Sequence, residues 1–241
     1  MVDIHSHLLP GIDDGPKDWE TTAEMCHLAV EDGIRHIIAT PHCNYRYAYD
    51  RQELKGALDR LRSLAGPRLQ VGLGCDFHLS YENLQAALQD PSPYTIEDTN
   101  YMLIELSNFS VPPQTSDAFM RLMDRGISPI LTHPERNPIL QKDLGRVLQW
   151  VSMGIIVQVT GSALTGDWGE QAWRSARWLL KHEAVHVLAS DAHGVQRRTP
   201  GLSAARQAAA EISGEDTARV LADDNPRAIV EGRPLPYFPK V

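Results

Sequence analysis

Side chains of the kind that hold divalent cations recur along this sequence at short, repeated spacings. His5 and His7 stand two residues apart, and on an extended backbone residues i and i+2 face the same side, so the pair can reach one ion. Further along come His42, Asp76, Glu105, His133, Asp191 and His193. Each of these has an ordinary reading when taken alone, as a hydrogen-bonded surface residue, and that reading is kept for His27, His36, His182 and His186. Asp13 and Asp14, in Pro10-Gly11-Ile12-Asp13-Asp14-Gly15-Pro16, admit an Asx-turn before a first helix or, for Asp14, ligation of a cation. Arg136, in Thr132-His133-Pro134-Glu135-Arg136-Asn137, and Arg198, beyond Asp191-Ala192-His193, lie a few residues past candidate ligands. Either can be a solvated surface residue, or can clamp a phosphoryl oxygen through the planar guanidinium fork.

These residues share a position relative to the elements around them. Short apolar runs at Val2 to Ile4, Arg35 to Ala39, Leu69 to Gly74, Tyr101 to Leu106, Ser128 to Leu131, Ile155 to Val159 and His186 to Ala189 read as strands buried on both faces. Between and after them, Trp19 to Glu31, Arg51 to Leu64, Tyr81 to Leu88, Ser116 to Arg125, Leu140 to Val151, Glu170 to Lys181 and Ala204 to Ile212 read as helices. Gly33, Gly126 and Gly154 fall where helices should end. The alternation predicts an α/β barrel of about seven units. Its strand C-termini would share one face, and the eight candidates from His5 to His193 fall at those ends, where barrel enzymes place their chemistry. Eight are too many for one ion. Imidazole and carboxylate ligands suit Zn, Mn, Fe or Ni, and the excess over four points to two or three ions bridged by a carboxylate.

Composition narrows the alternatives. The 241 residues, 42% hydrophobic, suit one domain over 1–241 with a single large core. A net charge of −8 and no Lys/Arg cluster longer than Arg197-Arg198 disfavour nucleic acid as the main partner. The three cysteines, Cys26, Cys43 and Cys75, have no CxxC spacing, which argues for a reducing compartment. Six residues beyond them stand Asp32, Tyr49 and Tyr81 rather than arginine, so thiolate phosphatase chemistry is rejected, and Cys75 reads as a small buried residue beside Asp76. No apolar stretch approaches the roughly 18 residues of a membrane span and no signal-peptide pattern follows Met1, so the cytoplasm is the expected location. Tyr45, Tyr47 and Tyr49 read either as a substrate groove or as packing, and the Pro-rich tail from Arg233 to Pro239 either packs on the barrel exterior or frays.

Taken in order, Asp3-Ile4-His5-Ser6-His7 with Asp13-Asp14-Gly15, Thr40-Pro41-His42, Gly74-Cys75-Asp76, Ile104-Glu105, Thr132-His133-Pro134-Glu135-Arg136 and Ser190-Asp191-Ala192-His193 resemble the PHP (polymerase and histidinol phosphatase) superfamily. The double Asp and the His-Pro-Glu-Arg run look most like the bacterial manganese-dependent tyrosine-protein phosphatases of capsule and exopolysaccharide operons. The resemblance runs from residue 3 to about residue 200. It implies a distorted (β/α)7 TIM-like barrel and three divalent ions, Mn before Fe or Zn. Carried over by motif, His5, His7, Asp76 and Asp191 would hold one ion. Asp76 as a bridge, with Glu105 and His133, would hold a second, and Asp14, His42 and His193 a third, with Arg136 and Arg198 on the phosphate. The bridging position is commonly Glu in the family and is Asp76 here, one methylene shorter. The implied substrate is a phosphotyrosine protein, the tail of a bacterial polysaccharide-regulating tyrosine kinase. The alternatives are another PHP phosphoesterase, acting on a small monoester such as histidinol phosphate or on a nucleotide or DNA end, and a regulator that binds phosphotyrosine without cleaving it.

Overall fold

In the computed structural model, which describes residues 1–239, nine short strands and ten helices alternate along the chain. β1 (Val2–Ser6) leads to α1 (Trp19–Glu31), whose first turn is capped by the Asp18 carboxylate accepting the Thr21 N–H at 2.8 Å. β2 (His36–Ala39) and β3 (His42–Cys43) precede α2 (Lys55–Ala65), and β4 (Gln70–Leu73) and β5 (Asp76–His78) precede α3 (Tyr81–Gln89). Then follow β6 (Tyr101–Glu105) and α4 (Thr115–Asp124), β7 (Ser128–Thr132) and α5 (Gly145–Ser152), and β8 (Ile156–Thr160) with α6 (Gly161–Thr165) and α7 (Gly169–Lys181). β9 (Val187–Ala189) is followed by α8 (Ser203–Ser213), α9 (Glu215–Arg219) and α10 (Asn225–Val230).

All the strand pairings are parallel, in the orders β1-β2-β4 and β3-β5-β6-β7-β8-β9. The seven expected strands are present, but the second and third are each broken in two, at Thr40-Pro41 and Gly74-Cys75. Proline has no N–H to give to a ladder, so the second strand stops pairing at Pro41 and resumes at His42. The halves β2 and β4 pair in one sheet and β3 and β5 in the other. A single bridge between Ser6 and Ala192, with hydrogen bonds from His7 N to Ala192 O at 2.8 Å and from Asp191 N to His5 O at 2.9 Å, ties the first strand to the chain just beyond the seventh. This is the distorted seven-unit TIM-like arrangement of the sequence reading, with its irregularity at strands two and three.

The helix ends depart from expectation in three places. The segment from Arg51 becomes helical only at Lys55, and Leu140 to Val151 divides into a 3-10 turn at Leu140–Lys142 and α5. There the Asn137 side-chain oxygen accepts the N–H groups of Ile139 at 3.0 Å and Leu140 at 3.1 Å, competing with a continuous helix. Beyond Ser213, α9, a π-type turn at Val220–Asp224 and α10 form without having been expected. The tail packs rather than fraying, with Tyr237 hydrogen-bonded in both directions to Asn225 and Phe238 edge-on to His186.

Two apolar clusters flank the strands. The larger lies between strands and helices, and the smaller takes Val2, Ile4, Ile38, Tyr101, Leu103, Ile130, Ile156, Val187 and Ala189, with Ile229 of α10 packed among them. Leu103 and Glu105, Ile156 and Gln158, and Ala189 and Asp191 are i, i+2 pairs, so each strand's apolar residue sits directly below a polar one on the same face. The smaller cluster is thus the floor beneath the strand C-termini.

Candidate metal centre

The pairing of β1 with β2 slips between Asp3 and Ser6, and this irregularity turns the strand within its own length. Val2 and Ile4 join the apolar floor, while His5 and His7, of the opposite parity, reach the polar layer above it. His5 Nδ1 meets Gln158 Oε1 at 3.0 Å and His7 Nδ1 meets Asp13 Oδ2 at 2.6 Å, so both rings turn Nε2 inward. Asp13 also accepts Gly15 N at 2.9 Å, the Asx-turn, and His42 N at 3.1 Å, which anchors the first loop to the second strand. The turn leaves its neighbour Asp14 reaching across the mouth, where Oδ1 is 3.3 Å from Nε2 of both His42 and His193.

Asp76 is fully buried in the middle, its Oδ2 3.6 Å from His5 Nε2 and 2.9 Å from His42 Nδ1. Asp191 Oδ1 lies 3.4 Å from His5 Nε2 and 3.5 Å from His7 Nε2. Glu105 stands 4.0 Å from both His42 Nδ1 and His133 Nε2. Donor atoms converge in four overlapping groups, each within 4.8 Å: His7, Asp14, His42 and His193; His5, His7 and Asp76; His5, His133 and Asp191; and His42, Asp76 and Glu105. The structure thus brings all nine candidate ligands into one cluster. The first group contains the whole set Asp14, His42 and His193, whereas Glu105 groups with Asp76 and His42, and His133 groups with His5 and Asp191, apart from Asp76.

The donor set fits divalent cations. Nε2 of His5, His7 and His193, Nδ1 of His42 and both carboxylate oxygens of Asp76 are buried without a hydrogen-bond partner, an arrangement that is costly unless a cation supplies the missing interaction. The charge balance points the same way. Burial would lower the pKa of His5, but the Asp191 and Asp76 carboxylates outweigh it and raise it to about 9. His42, likewise buried, is raised to about 11 by Asp14 and Asp76. Asp191, buried, is nonetheless held well below the usual carboxylate range by His5 and Arg136. The carboxylates therefore hold positive charge in the site, and a cation competes with protons for that place.

Arg136 and Arg198 arrive from the loops beyond β7 and β9 and both donate to Asp191 Oδ2, Arg198 from 2.8 Å. Their Nε–H groups are buried without an acceptor. Three non-glycine residues here, His133, Asp191 and Arg198, have left-handed φ of +34°, +52° and +54°, a clustering of backbone strain typical of functional sites. Neither arginine is the solvated surface residue of the plainer reading.

Several contributors were not singled out from sequence. Asp13 reads from sequence only as a turn residue, and Gln158 carries no signal beyond its place two residues after Ile156. His78 Nδ1 lies 3.4 Å from Glu105 Oε2, and Trp168 lies under both arginines. The surface assignment of His186 is corrected: it is fully buried, accepts the Val157 N–H at 3.0 Å, and burial lowers its pKa to about 3. Of the loop tyrosines, Tyr49 packs and donates to Gly74 O at 3.1 Å, Tyr47 stacks on His42, and Tyr45 is 87% exposed.

All three cysteines are buried. Burial pushes the Cys26 thiol up to about 11 and Cys75 well above its usual value, while Cys75 lowers Cys43 through a hydrogen bond. Arg136 and Arg198, the two guanidinium forks of the site, both point at Asp191 rather than at a thiol. Replacing all three cysteines with Ala is expected to leave a folded protein with most of its turnover. A well-folded triple variant without turnover would return a thiolate to the mechanism.

Residues 1–231 match the family described as Capsular polysaccharide synthesis, CpsB/CapC. The tyrosine-protein phosphatase YwqE of Bacillus subtilis is 34% identical over 202 residues, covering 82% of this chain and 79% of that protein. The tyrosine-protein phosphatase CpsB of Streptococcus pneumoniae is 29% identical over 240 residues, 95% and 98% of the two chains. A crystal structure from the pair YwqE and CpsB, described as metal-dependent tyrosine phosphatases, superposes with a TM-score of 0.90 at 30% identity over 100% of both chains. A D-hydantoinase at 11% identity and TM-score 0.55 shares the fold alone, over 94% of this chain and 69% of its own.

Proposed function

From a chain that belongs to the CpsB/CapC family of capsular polysaccharide synthesis proteins, we infer a metal-dependent protein-tyrosine phosphatase, built as one PHP-type domain over residues 1–241 and working in the cytoplasm on the phosphotyrosine tail of a bacterial polysaccharide-regulating kinase. The observation that carries this reading is a buried layer of unpartnered imidazole and carboxylate atoms beside two arginines with free Nε–H groups. Among the described residues no helix is long and apolar enough to cross a membrane.

The donor set would hold three ions, Mn before Fe or Zn. His5, His7, Asp76 and Asp191 would hold one, Asp76 with Glu105 and His133 a second, and Asp14, His42 and His193 the third. The compact grouping of Asp14, His42 and His193 with His7 supports the last of these most directly. Such cations would supply Lewis acidity and lower the pKa of water so that hydroxide is available to attack phosphorus near neutral pH. The chain's own residues do the rest. Gln158 and Asp13 fix the rings of His5 and His7 so that Nε2 faces the centre. Arg136 and Arg198 bind the phosphoryl oxygens and offset the charge redistributed in the transition state. A phenol leaves with a pKa of about 10, so little proton donation is demanded of any side chain.

Mn-loaded protein offered a phosphotyrosine peptide, a phosphoserine peptide, histidinol phosphate and single-stranded DNA is expected to turn over the first with the highest kcat/KM. Preference for histidinol phosphate or DNA would move the chain to another PHP activity, and binding of phosphotyrosine peptide without release of phosphate would make it a regulator.

A further inference from the structure

Arg136 and Arg198 are carried by the loops beyond β7 and β9, and the strand between them, β8, runs directly into α6. The turn between α6 and α7 presents Trp168. The guanidinium carbon of Arg136 lies 3.5 Å from the centroid of the indole and that of Arg198 5.3 Å, both inside the roughly 6 Å over which an aromatic face attracts a cation.

The indole is held independently of the arginines. Its Nε1–H donates to Ser162 Oγ at 2.9 Å, and Asp167 N and Gly169 N close the turn onto Ser162 O and Gly166 O, each at 3.0 Å. Gly166 and Gly169 take φ of +97° and +81° with open space where a Cβ would stand, so glycine is needed there for the backbone bend and not for room. Two like charges that converge on one Asp191 oxygen repel each other, and a fixed ring between the loops of β7 and β9 gives both a defined seat.

We propose that Trp168 is a positioning residue for the phosphoryl group, holding Arg136 and Arg198 at the separation at which both forks address one phosphate. The proposal rests on the reading that the arginines bind the phosphoryl group. It adds a residue whose contribution passes through the arginines.

The test uses Mn-loaded full-length protein, with metal content, thermal midpoint, kinetics on a phosphotyrosine peptide and competitive inhibition by inorganic phosphate measured for each variant. Trp168→Leu is expected to raise the phosphate inhibition constant by roughly 10-fold and to lower kcat/KM by a similar factor at unchanged metal content, and Trp168→Phe to rescue both to within about threefold of wild type. Ser162→Ala, which frees the indole without emptying its seat, should weaken phosphate inhibition in the same direction and by less. Phosphate inhibition within twofold of wild type in a metal-replete Leu variant overturns the proposal, as does a loss of activity that merely follows loss of metal. If the Leu variant does not fold, unchanged phosphate inhibition in Ser162→Ala overturns it equally. Arg136→Ala and Arg198→Ala run alongside: wild-type phosphate inhibition in these would sink the phosphate fork itself, whereas weakened inhibition in them with none in the Trp168 variants would sink only the positioning role.

Discussion

Replacing either Arg136 or Arg198 with Ala is expected to lower kcat/KM on a phosphotyrosine peptide by roughly 10²-fold or more, about 2.7 kcal/mol of transition-state stabilisation. Each side chain places its guanidinium on Asp191 and keeps a buried Nε–H without an acceptor, so each has donors left for an anion. Lys should rescue only in part, because a point charge does not reproduce the planar fork. The side chains are only 16% and 27% exposed, so removing them also withdraws packing and a partner of a buried carboxylate. Metal content and thermal midpoint must therefore be measured beside the kinetics. Near-wild-type kcat/KM in a metal-replete Ala variant would remove that arginine from the mechanism.

Asp76→Asn is expected to have the larger effect. The substitution keeps shape and volume but removes the charge of a fully buried carboxylate standing between His5 and His42, with neither oxygen hydrogen-bonded. Loss of a residue that only orients a ligand costs about 10–100-fold, so loss of a shared ligand should exceed 10²-fold in kcat/KM and release at least one ion per chain. Asp76→Glu retains the charge with one more methylene. It should recover metal better than Asn, and any strain from the added methylene in this buried position should cost about 1–3 kcal/mol. An Asn variant with full metal and full turnover would show that Asp76 holds no ion.

The strand-end pattern made the positions of the donors legible, because a parallel sheet sends every C-terminus to one face, and His5, His42, Asp76, Glu105, His133 and Asp191 all lie there. Less was legible where side chains act through contacts distant in sequence. Gln158 orients His5 across 153 residues, and a glutamine inside an apolar run carries no mark of that role. Asp13 was visible as a turn former, but its second oxygen reaches His7 and the His42 backbone only once the loop has folded back. The interruptions at Thr40-Pro41 and Gly74-Cys75 are written in Pro41 and Gly74, yet the strands' resumption at His42 and Asp76 depends on partners in the next unit. His186 reads in sequence like the exposed His27 and His182, because burial of the residue just before β9 is decided by α10 and the tail, where Asn225 donates to its carbonyl and Phe238 packs edge-on against its ring.

Whether a cluster of divalent cations works as a unit is decided by stripping the purified protein with EDTA and titrating Mn back while following phosphate release from a phosphotyrosine peptide, with bound metal counted at each step. Activity is expected to disappear on stripping and to return only as occupancy passes one ion per chain. Activity unchanged by EDTA, or fully restored at one ion or fewer per chain, would contradict such a cluster.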